Sequence, residues 1–382
     1  MMKFISIIMF ILCGIIVLSC KHTEKDSSKI VHYLNSADEP LQEFPPYSNV
    51  EIIKLETSPS CLLTNIKRIE MNDSLIFISE YDNLYIFTRK GDFVTKVGAK
   101  GEGPNEYIVL STFYVDNDKR QITIIDEFKN VLLNYDFTGE YISTVSMPQK
   151  TFEACFYAML AVNNKVLSYN MMSMNDTKAC TLFDLKTKTS ERYFSYQPIT
   201  VGNYLYSFSW HPMAKIGNDI DFIMPLCDTI FTYLAETSSF QPKYVIETPQ
   251  KMASKNQIRE KTPDYIEDMC KLAEQGFFTG FTGIFETDKA VLLEYRTQGV
   301  VVGYFLFDKK SRTGNYYWGM SGSEKDALPF FPIIYSYKNE FVGYADAGFL
   351  LTLKNIKDKK ILECFKDLKE DDNPCLIMYK FE

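Results

Sequence analysis

Short apolar and β-branched runs, separated by turn residues, recur from about residue 50 to the C-terminus. Ser74–Ser79, Leu84–Phe87 and Phe93–Val97 form one set, and Gln121–Ile125, Val131–Tyr135 and Tyr141–Val145 the next. Runs this short, bounded by Gly, Asn and Asp, read as strands joined by tight turns. The two sets superpose at an offset of 48 residues, Phe87–Val94 falling on Tyr135–Ile142. Two more steps of 48 reach Phe183 and Phe231, each closing a strand-like run. Ala290–Tyr295 and Val300–Phe307 make a fifth unit, with Phe307 lying 76 residues after Phe231. Ile333–Tyr337, Glu340–Tyr344 and Phe349–Leu353 make a sixth.

A four-stranded unit repeating every 40–50 residues or so is the signature of propeller blades, each too thin to bury its own faces. The expected fold is therefore all-β, a six-bladed β-propeller over residues 47–382. The recurring aromatic is expected at the packing surface between blades. The opening strand Val50–Glu56 and the apolar closing strand Cys375–Phe381 are expected to share one blade and so close the ring. The wider spacing before the fifth unit marks a short helical insertion between blades four and five, about residues 254–276. There Thr262 suits an N-cap, Pro263 the first helical position and Gly276 the position past the end. Ile266, Met269, Cys270 and Ala273 then fall on one apolar face, that of a helix covering a blade edge or acting as a lid.

The N-terminus has a different pattern. One cation, Lys3, precedes the apolar stretch Phe4–Leu18, which ends in Val17-Leu18-Ser19-Cys20. The length is that of a signal-peptide core, a little short of a spanning helix. The ending resembles a bacterial lipobox. Residues 1–19 are expected to be removed as a lipoprotein signal peptide, leaving Cys20 as the lipid-bearing first residue. Residues 20–46 read as a polar, flexible tether. The destination is the outer membrane, on its periplasmic face or at the cell surface. Lys21 follows the lipidated position where an inner-membrane retention signal would place Asp, and the acids of the tether, Glu24 and Asp26, are split.

Composition narrows the chemistry. The net charge of −8 argues against a nucleic-acid partner, whose phosphates an acidic surface repels. Aromatics at 15%, with 25 Tyr and 29 Phe, favour strands. Nine cysteines include no CxxC pair, so zinc knuckles and thioredoxin-like sites are not signalled. Free buried thiols are the default expectation for Cys61, Cys155, Cys180, Cys227, Cys270, Cys364 and Cys375, with Cys364 and Cys375 the nearest candidate pair. Of three histidines, His22 and His32 precede the repeats and only His211 lies within them. A multi-His metal centre is excluded, and a Ser–His–Asp triad would have a single candidate base. An oxygen-only calcium site stays open, with Asp116-Asn117-Asp118 as its nearest motif, although acidic turns between strands are routine. Trp210 and His211, in Ser207–Pro212, are the candidate ligand contacts, because an aromatic beside a His can stack on a sugar or peptide. The plainer reading is a packed loop.

Between the first two units lies Val97-Gly98-Ala99-Lys100-Gly101-Glu102-Gly103-Pro104-Asn105-Glu106-Tyr107. A nucleotide cradle is excluded there because a Pro follows the glycines and no helix opens after them. The segment resembles the "IG..G.GPGEY" linker of the six-bladed propeller lipoproteins of Bacteroidota, relatives of NHL-repeat and TolB-like propellers. Asn105 stands where that family usually has Gly. Val50–Thr57, Asp228–Phe231 and Asn373–Lys380 resemble its opening strand, its "DTIY" element and its closing strand. The resemblance implies the fold over nearly all of the chain but no assigned activity. The expected function is that of a lipid-anchored envelope protein holding a protein, peptide or glycan, with no catalytic residues and no cofactor. The alternative is a lyase or hydrolase with a carboxylate or calcium site in the central channel.

Overall fold

The computed structural model describes residues 30–31, 47–148, 151–152, 155–170, 178–195, 200–201, 204–205, 210–224, 226–246, 248, 250–253, 257, 271–296, 302–318, 328–353 and 356–381. The signal peptide, Cys20, His22, His32, Ser207–Ser209, Thr262, Pro263, Ile266, Met269 and Cys270 lie outside the described residues.

Six four-stranded antiparallel sheets form a six-bladed propeller. Strands β1 (Ile30–Val31) and β2 (Asn49–Lys54) come first and join later blades. Blade one is β3 (Arg68–Met71), β4 (Leu75–Ser79), β5 (Leu84–Thr88) and β6 (Phe93–Lys96). Blade two is β7 (Thr112–Asp116), β8 (Gln121–Asp126), β9 (Val131–Asp136) and β10 (Tyr141–Ser146). Blade three is β11 (Cys155–Ala161), β12 (Lys165–Asn170), β13 (Lys178–Asp184) and β14 (Thr189–Ser195), followed by a small hairpin, β15 (Thr200–Val201) and β16 (Tyr204–Leu205). Blade four is β17 (Met213–Ile216), β18 (Asp219–Phe222), β19 (Thr229–Leu234) and β20 (Ser239–Ile246). Blade five is β21 (Phe281–Glu286), β22 (Ala290–Arg296), β23 (Val302–Asp308) and β24 (Thr313–Trp318). Blade six is β25 (Ile333–Tyr337), β26 (Glu340–Ala345) and β27 (Cys375–Lys380), with β2 as its fourth strand.

The buried apolar residues fall into six clusters, and each joins two neighbouring blades. Phe77 and Ile86 of blade one, for example, meet Phe113 and Leu133 of blade two. The recurring aromatic is the residue that faces these seams. In every blade it lies opposite the second residue of the second strand: Phe87 opposite Ile76, Tyr135 opposite Ile122, Phe183 opposite Val166, Tyr233 opposite Ile220, Phe307 opposite Val291 and Tyr379 opposite Phe341. Each enters a different cluster, one per seam. The pairing corrects the spacing argument at one point. Tyr233, two residues beyond the 48-residue step, fills the fourth slot, while Phe231 is a partly buried neighbour in the same cluster. Register, not chain count, sets the position.

After the aromatic, Asp136, Asp184 and Asp308 tie down the following turn. Their Oδ1 atoms accept from Thr138 N at 2.8 Å, Lys186 N at 2.8 Å and Ser311 N at 2.5 Å. These Asx turns explain why the aromatic-Asp pair recurs at a strand end. The bonds from the turn hold all three carboxyls below the usual range.

Both chain ends meet in blade six. β27 lies between β26 and β2, with Ile377 opposite Ile52 on one side and Gly343 on the other. Asn373, just before β27, locks the join. Its Nδ2 donates to Glu56 O at 2.6 Å and Cys61 O at 2.8 Å, and its Oδ1 accepts from Leu63 N at 2.8 Å.

One strand expectation fails. Phe349–Leu353 is not the third strand of blade six but falls mainly in helix α1 (Ala347–Thr352), with α2 (Lys359–Phe365) following. The third-strand slot is taken by β27. Periodicity cannot separate a five-residue apolar run from a helical turn. α1 buries Ala347 and Leu350 and leaves Phe349 and Leu351 exposed. Before blade five, residues 271–274 are helical and Gly276 follows with φ +82°, its N–H on Ala273 O at 3.0 Å. Of the residues expected to form the tether, Ile30 and Val31 pair in parallel with Val245 and Ile246 on the outer edge of blade four. Cys61, Cys155, Cys180, Cys227 and Cys375 are buried and in no disulfide, and Cys364 is partly exposed and in none either, so the candidate pair Cys364–Cys375 is not bonded.

Because the blades are antiparallel, their turns sort onto two faces. The turns between first and second strands and between third and fourth strands, two to four residues each, gather on one face. The second-to-third and blade-to-blade connections, including α1, α2 and the insertion, gather on the other.

Asn373→Ala should leave Cys61 O and Leu63 N of the closing seam without these partners, and Glu56 O with only the Cys61 thiol. At about 1–3 kcal/mol for each buried unsatisfied group, a loss on the order of 3 kcal/mol is expected. Urea unfolding followed by circular dichroism should show an earlier midpoint for the whole ring, in a single transition.

Candidate functional site

The first strands of all six blades converge on the central channel, and short strands there carry charge inward. Arg68, the first residue of β3, is 5% exposed and crosses to blade three, where its Nη2 donates to Ala158 O at 2.9 Å. Its guanidinium lies 3.6 Å from the centroid of the Tyr157 ring and 5.5 Å from that of Phe113. Nη2 also pairs with Glu70 Oε1, and Tyr335 Oη, from blade six, donates to Glu70 Oε2 at 3.3 Å. Burial opposes the charge on Arg68, but Tyr157 and Glu70 outweigh it and raise its pKa. A stacked ion pair thus stands at the inner strands. A cavity of 30 Å3 is lined by Glu70, Tyr114, Tyr157, Lys215, Phe285 and Ser336 among others, with residues from every blade. It suits one or two waters or a small ion rather than an extended substrate.

The structure separates the two expected contact residues. Trp210 is half exposed on the face of long connections, its backbone N–H on Thr282 O at 3.1 Å. His211 turns inward, its ring 5.1 Å from the Phe285 ring. Its Nδ1 is buried without a hydrogen-bond partner. Burial first, and the Arg68 charge second, push its pKa down to about 3, so the ring is neutral at pH 7. A base with so low a pKa and no orienting carboxylate on Nδ1 is poorly suited to general-base work near neutrality.

A second buried polar group lies at the seam of blades four and five. Asp221 and Glu286 are both nearly inaccessible. Lys243 bridges them, reaching Glu286 Oε1 at 2.9 Å and pairing with Asp221 Oδ2, while Lys309 meets Glu286 Oε1 at 2.5 Å. Burial and the neighbouring acid push the Asp221 carboxyl well up. Burial opposes the charge of Glu286 too, but the Asp221 hydrogen bond and both ammonium groups hold it below the usual range. Two lysines against two buried carboxyl groups make an inter-blade bracket.

The glycine-rich linker is a packing device. Gly98 has φ +59°, and a Cβ there would sit 2.7 Å from the Tyr135 ring. A Cβ on Gly101 would meet Glu106 Oε2 at 2.0 Å. Lys129 Nζ caps Gly103 O at 2.7 Å and Glu106 O at 2.6 Å. The carbonyls and carboxylate of the loop are occupied from within the fold. Asp116-Asn117-Asp118 is likewise a stitched turn: Asp116 Oδ2 meets Lys119 Nζ at 3.0 Å, and Asn117 Oδ1 accepts from Asn72 Nδ2 at 3.0 Å. Among the described residues no His, Cys, Asp and Glu side chains gather in a group of three or more fit for a metal.

Sequence reasoning missed Arg68 and Glu70. Their signal is an alternation of charge and apolar residues, Arg68-Ile69-Glu70-Met71, just before a recognised second strand. A charged pair two residues apart on a short inner strand points both side chains the same way.

The chain belongs to the family described as Domain of unknown function (DUF4934), whose model matches residues 32–380. It is similar in structure to a candidate exported protein of Bacteroides fragilis NCTC 9343, at TM-score 0.75 and 20% identity over 92% of this chain and 99% of that one. It is also similar to a member of the DUF4221 family from Bacteroides vulgatus ATCC 8482, at TM-score 0.51 and 10% identity over 89% of this chain and 98% of that one. Both likenesses concern the fold. No curated protein matches the chain.

His211 generates a pH expectation. Its folded pKa of about 3 lies below the unfolded value of about 6.5, so between these limits the unfolded chain binds more protons. Its contribution is complete above pH 6.5 or so and falls as pH drops towards 3, by at most about 1.4 kcal/mol per unit. Urea midpoints at pH 7 and pH 5 should differ more for the wild type than for His211→Leu. Equal shifts would remove His211 as a cause.

Proposed function

We propose that the protein is a lipid-anchored propeller of the cell envelope, of the NHL-repeat or TolB-like kind, which holds a protein, peptide or glycan on its face of long connections and does no chemistry of its own. One observation carries this reading. Among the described residues nine large apolar side chains are well exposed, and seven of them, Leu62, Tyr81, Phe128, Trp210, Phe349, Leu351 and Leu362, sit in connections of that one face. The other two, Val94 and Ile142, lie on outer strands, and the face of short turns has none. Exposed apolar groups collected on one side of a soluble domain mark an interaction surface. The small inner cavity fits the same reading, since 30 Å3 does not hold an extended substrate.

Export and anchoring rest on the leader and on Cys20. The similarity to a candidate exported protein of Bacteroides fragilis supports export. Among the described residues no helix is long and apolar enough to cross a membrane, so a lipid on Cys20 is the proposed means of attachment, on the periplasmic face or the cell surface. Two or three acyl chains suffice for durable anchoring, at about 0.8 kcal/mol per buried methylene.

Cells fed a palmitate analogue should label the wild type and not Cys20→Ala, which should be released or left unprocessed. Label on the Ala variant would end the lipoprotein reading.

For the docking face, Tyr81→Ser with Phe128→Ser should reduce capture of the partner from envelope membranes, or of a glycan on an array, by about tenfold or more, since exposed aromatics dominate such surfaces. Val94→Ser, on an outer strand, should leave capture unchanged. Equal capture by all three proteins would remove this face as the site.

A further inference from the structure

The cluster at the seam of blades four and five brings an amine and two carboxyl groups into contact. Lys243 is placed there by a β-bulge. Its neighbours Pro242 and Tyr244 lie opposite Phe231 and Ile230, which are consecutive on β19, so Lys243 is the extra residue. A bulge re-aims a side chain, and this one sends Lys243 past β19 to Asp221 on β18. On β19 the residue opposite Asp221 is the short Thr232. Glu286, on β21 of the next blade, lies 2.9 Å from Lys243 Nζ and is hydrogen-bonded to Asp221. Lys309 is committed to Glu286 and to Thr287 O. The Tyr244 ring centroid is 5.3 Å from Lys243 Nζ, and that ring packs on Phe307.

Charges placed so are costly, because ions away from water lose their hydration. An amide between Lys243 and Asp221 would remove two of them and leave Lys309 against Glu286. Burial and Glu286 raise the pKa of Asp221, which favours the neutral carboxyl that an amine can attack. Burial opposes the charge on Lys243, but Asp221 and Glu286 outweigh it, so the ammonium must hand on a proton before it attacks. Glu286 touches both groups and can take that proton. The transfer is uphill, yet it is needed once per molecule, and groups held in contact react as if at very high concentration.

We propose that Lys243 Nζ and Asp221 Cγ condense within the folded propeller to form an isopeptide bond, with Glu286 as the proton carrier. A C–N bond forms at Asp221 Cγ and one of its C–O bonds breaks. Two of the three protons of the Lys243 ammonium, carried by Glu286, leave with that oxygen as water, and nothing is oxidised or reduced. The bond is made once, inside the chain, and acts on no substrate. It ties β20, the strand that also carries β1, to β18 across blade four. The inference depends on neither the lipid anchor nor the docking face.

The test is tryptic digestion of the purified full-length protein, read by mass spectrometry. A linked Lys243 resists cleavage, so residues 216–251 should appear as one peptide, lighter by one water than their sequence. Asp221→Ala should be cleaved after Lys243 and show no loss of water, and Lys243→Arg should be cleaved at the same place. Glu286→Gln should lower the linked fraction about tenfold or more, as expected on removing a positioned proton carrier. Separate peptides 216–243 and 244–251 from the wild type, with no joined form, overturn the proposal. A link between Lys309 and Glu286 in place of this one overturns it too, as does wild-type linkage in Glu286→Gln. The wild-type digest is decisive even where a variant fails to fold.

Discussion

A four-stranded blade has two apolar faces and nothing of its own to cover them, and every other feature of this molecule follows from that. Each face must find the next blade, so the core is divided among six seams rather than gathered at one centre. A row of blades would leave two faces bare, and only a closed ring leaves none. Closure in turn requires the first and last strands to share a blade, which is why β27 lies between β26 and β2 and why Asn373 binds backbone on both sides of the join. The seam aromatic is kept in all six blades because it faces the one surface that no blade can leave open. The connections carry no such constraint, so the spacing stretches wherever a loop or helix is inserted.

Closing the ring creates a second problem, at its axis. Six first strands brought together leave a narrow space where any charge is removed from water. The chain answers with Arg68 stacked on Tyr157, paired with Glu70 and bonded to blade three, which spreads the guanidinium's needs over blades one, two, three and six. At the seam of blades four and five, Asp221 and Glu286 meet the same problem with the ammonium groups of Lys243 and Lys309. Breaking such a group by removing one partner is far more damaging than replacing all of it. Both clusters are thus bound to the scaffold.

The architecture was legible because strand length, turn residues and the 48-residue step all record seam packing. Phe87, Tyr135 and Phe183 stand out in the sequence for the same reason that they are buried. Legibility failed where one dimension is not enough. Phe231 and Tyr233 are equivalent by composition, and only the pairing with β18 decides between them. Phe349–Leu353 has the residues of a strand, but its slot was already filled by a strand 26 residues further on. Arg68 and Glu70 were passed over because the first strand of a blade is short and charged, the opposite of the signal used to find strands. The pair Trp210 and His211 was noticed, yet adjacency in sequence placed one side chain outward and the other inward, since consecutive residues of an extended chain face opposite ways.

The glycine-rich linker ties these levels together. Its glycines allow Glu106 and Tyr135 to come close, and its other contacts go to the two turns that carry Tyr81 and Phe128. Tyr107 Oη donates to Asp82 O at 2.9 Å, and Lys100 Nζ meets Asp82 Oδ1 at 2.7 Å, beside Tyr81. Asp126 receives Ile108 N at 2.7 Å on one oxygen, and Phe128 N and Lys129 N at 3.0 Å on the other. Lys129 then returns to the linker carbonyls. The turns that carry two exposed aromatics on neighbouring blades are thereby bonded to one loop. On the proposed docking face, rigidity of that kind would lower the entropy lost when a partner docks. A linker that resembles a nucleotide-binding loop in composition thus acts instead as the brace of the face next to it.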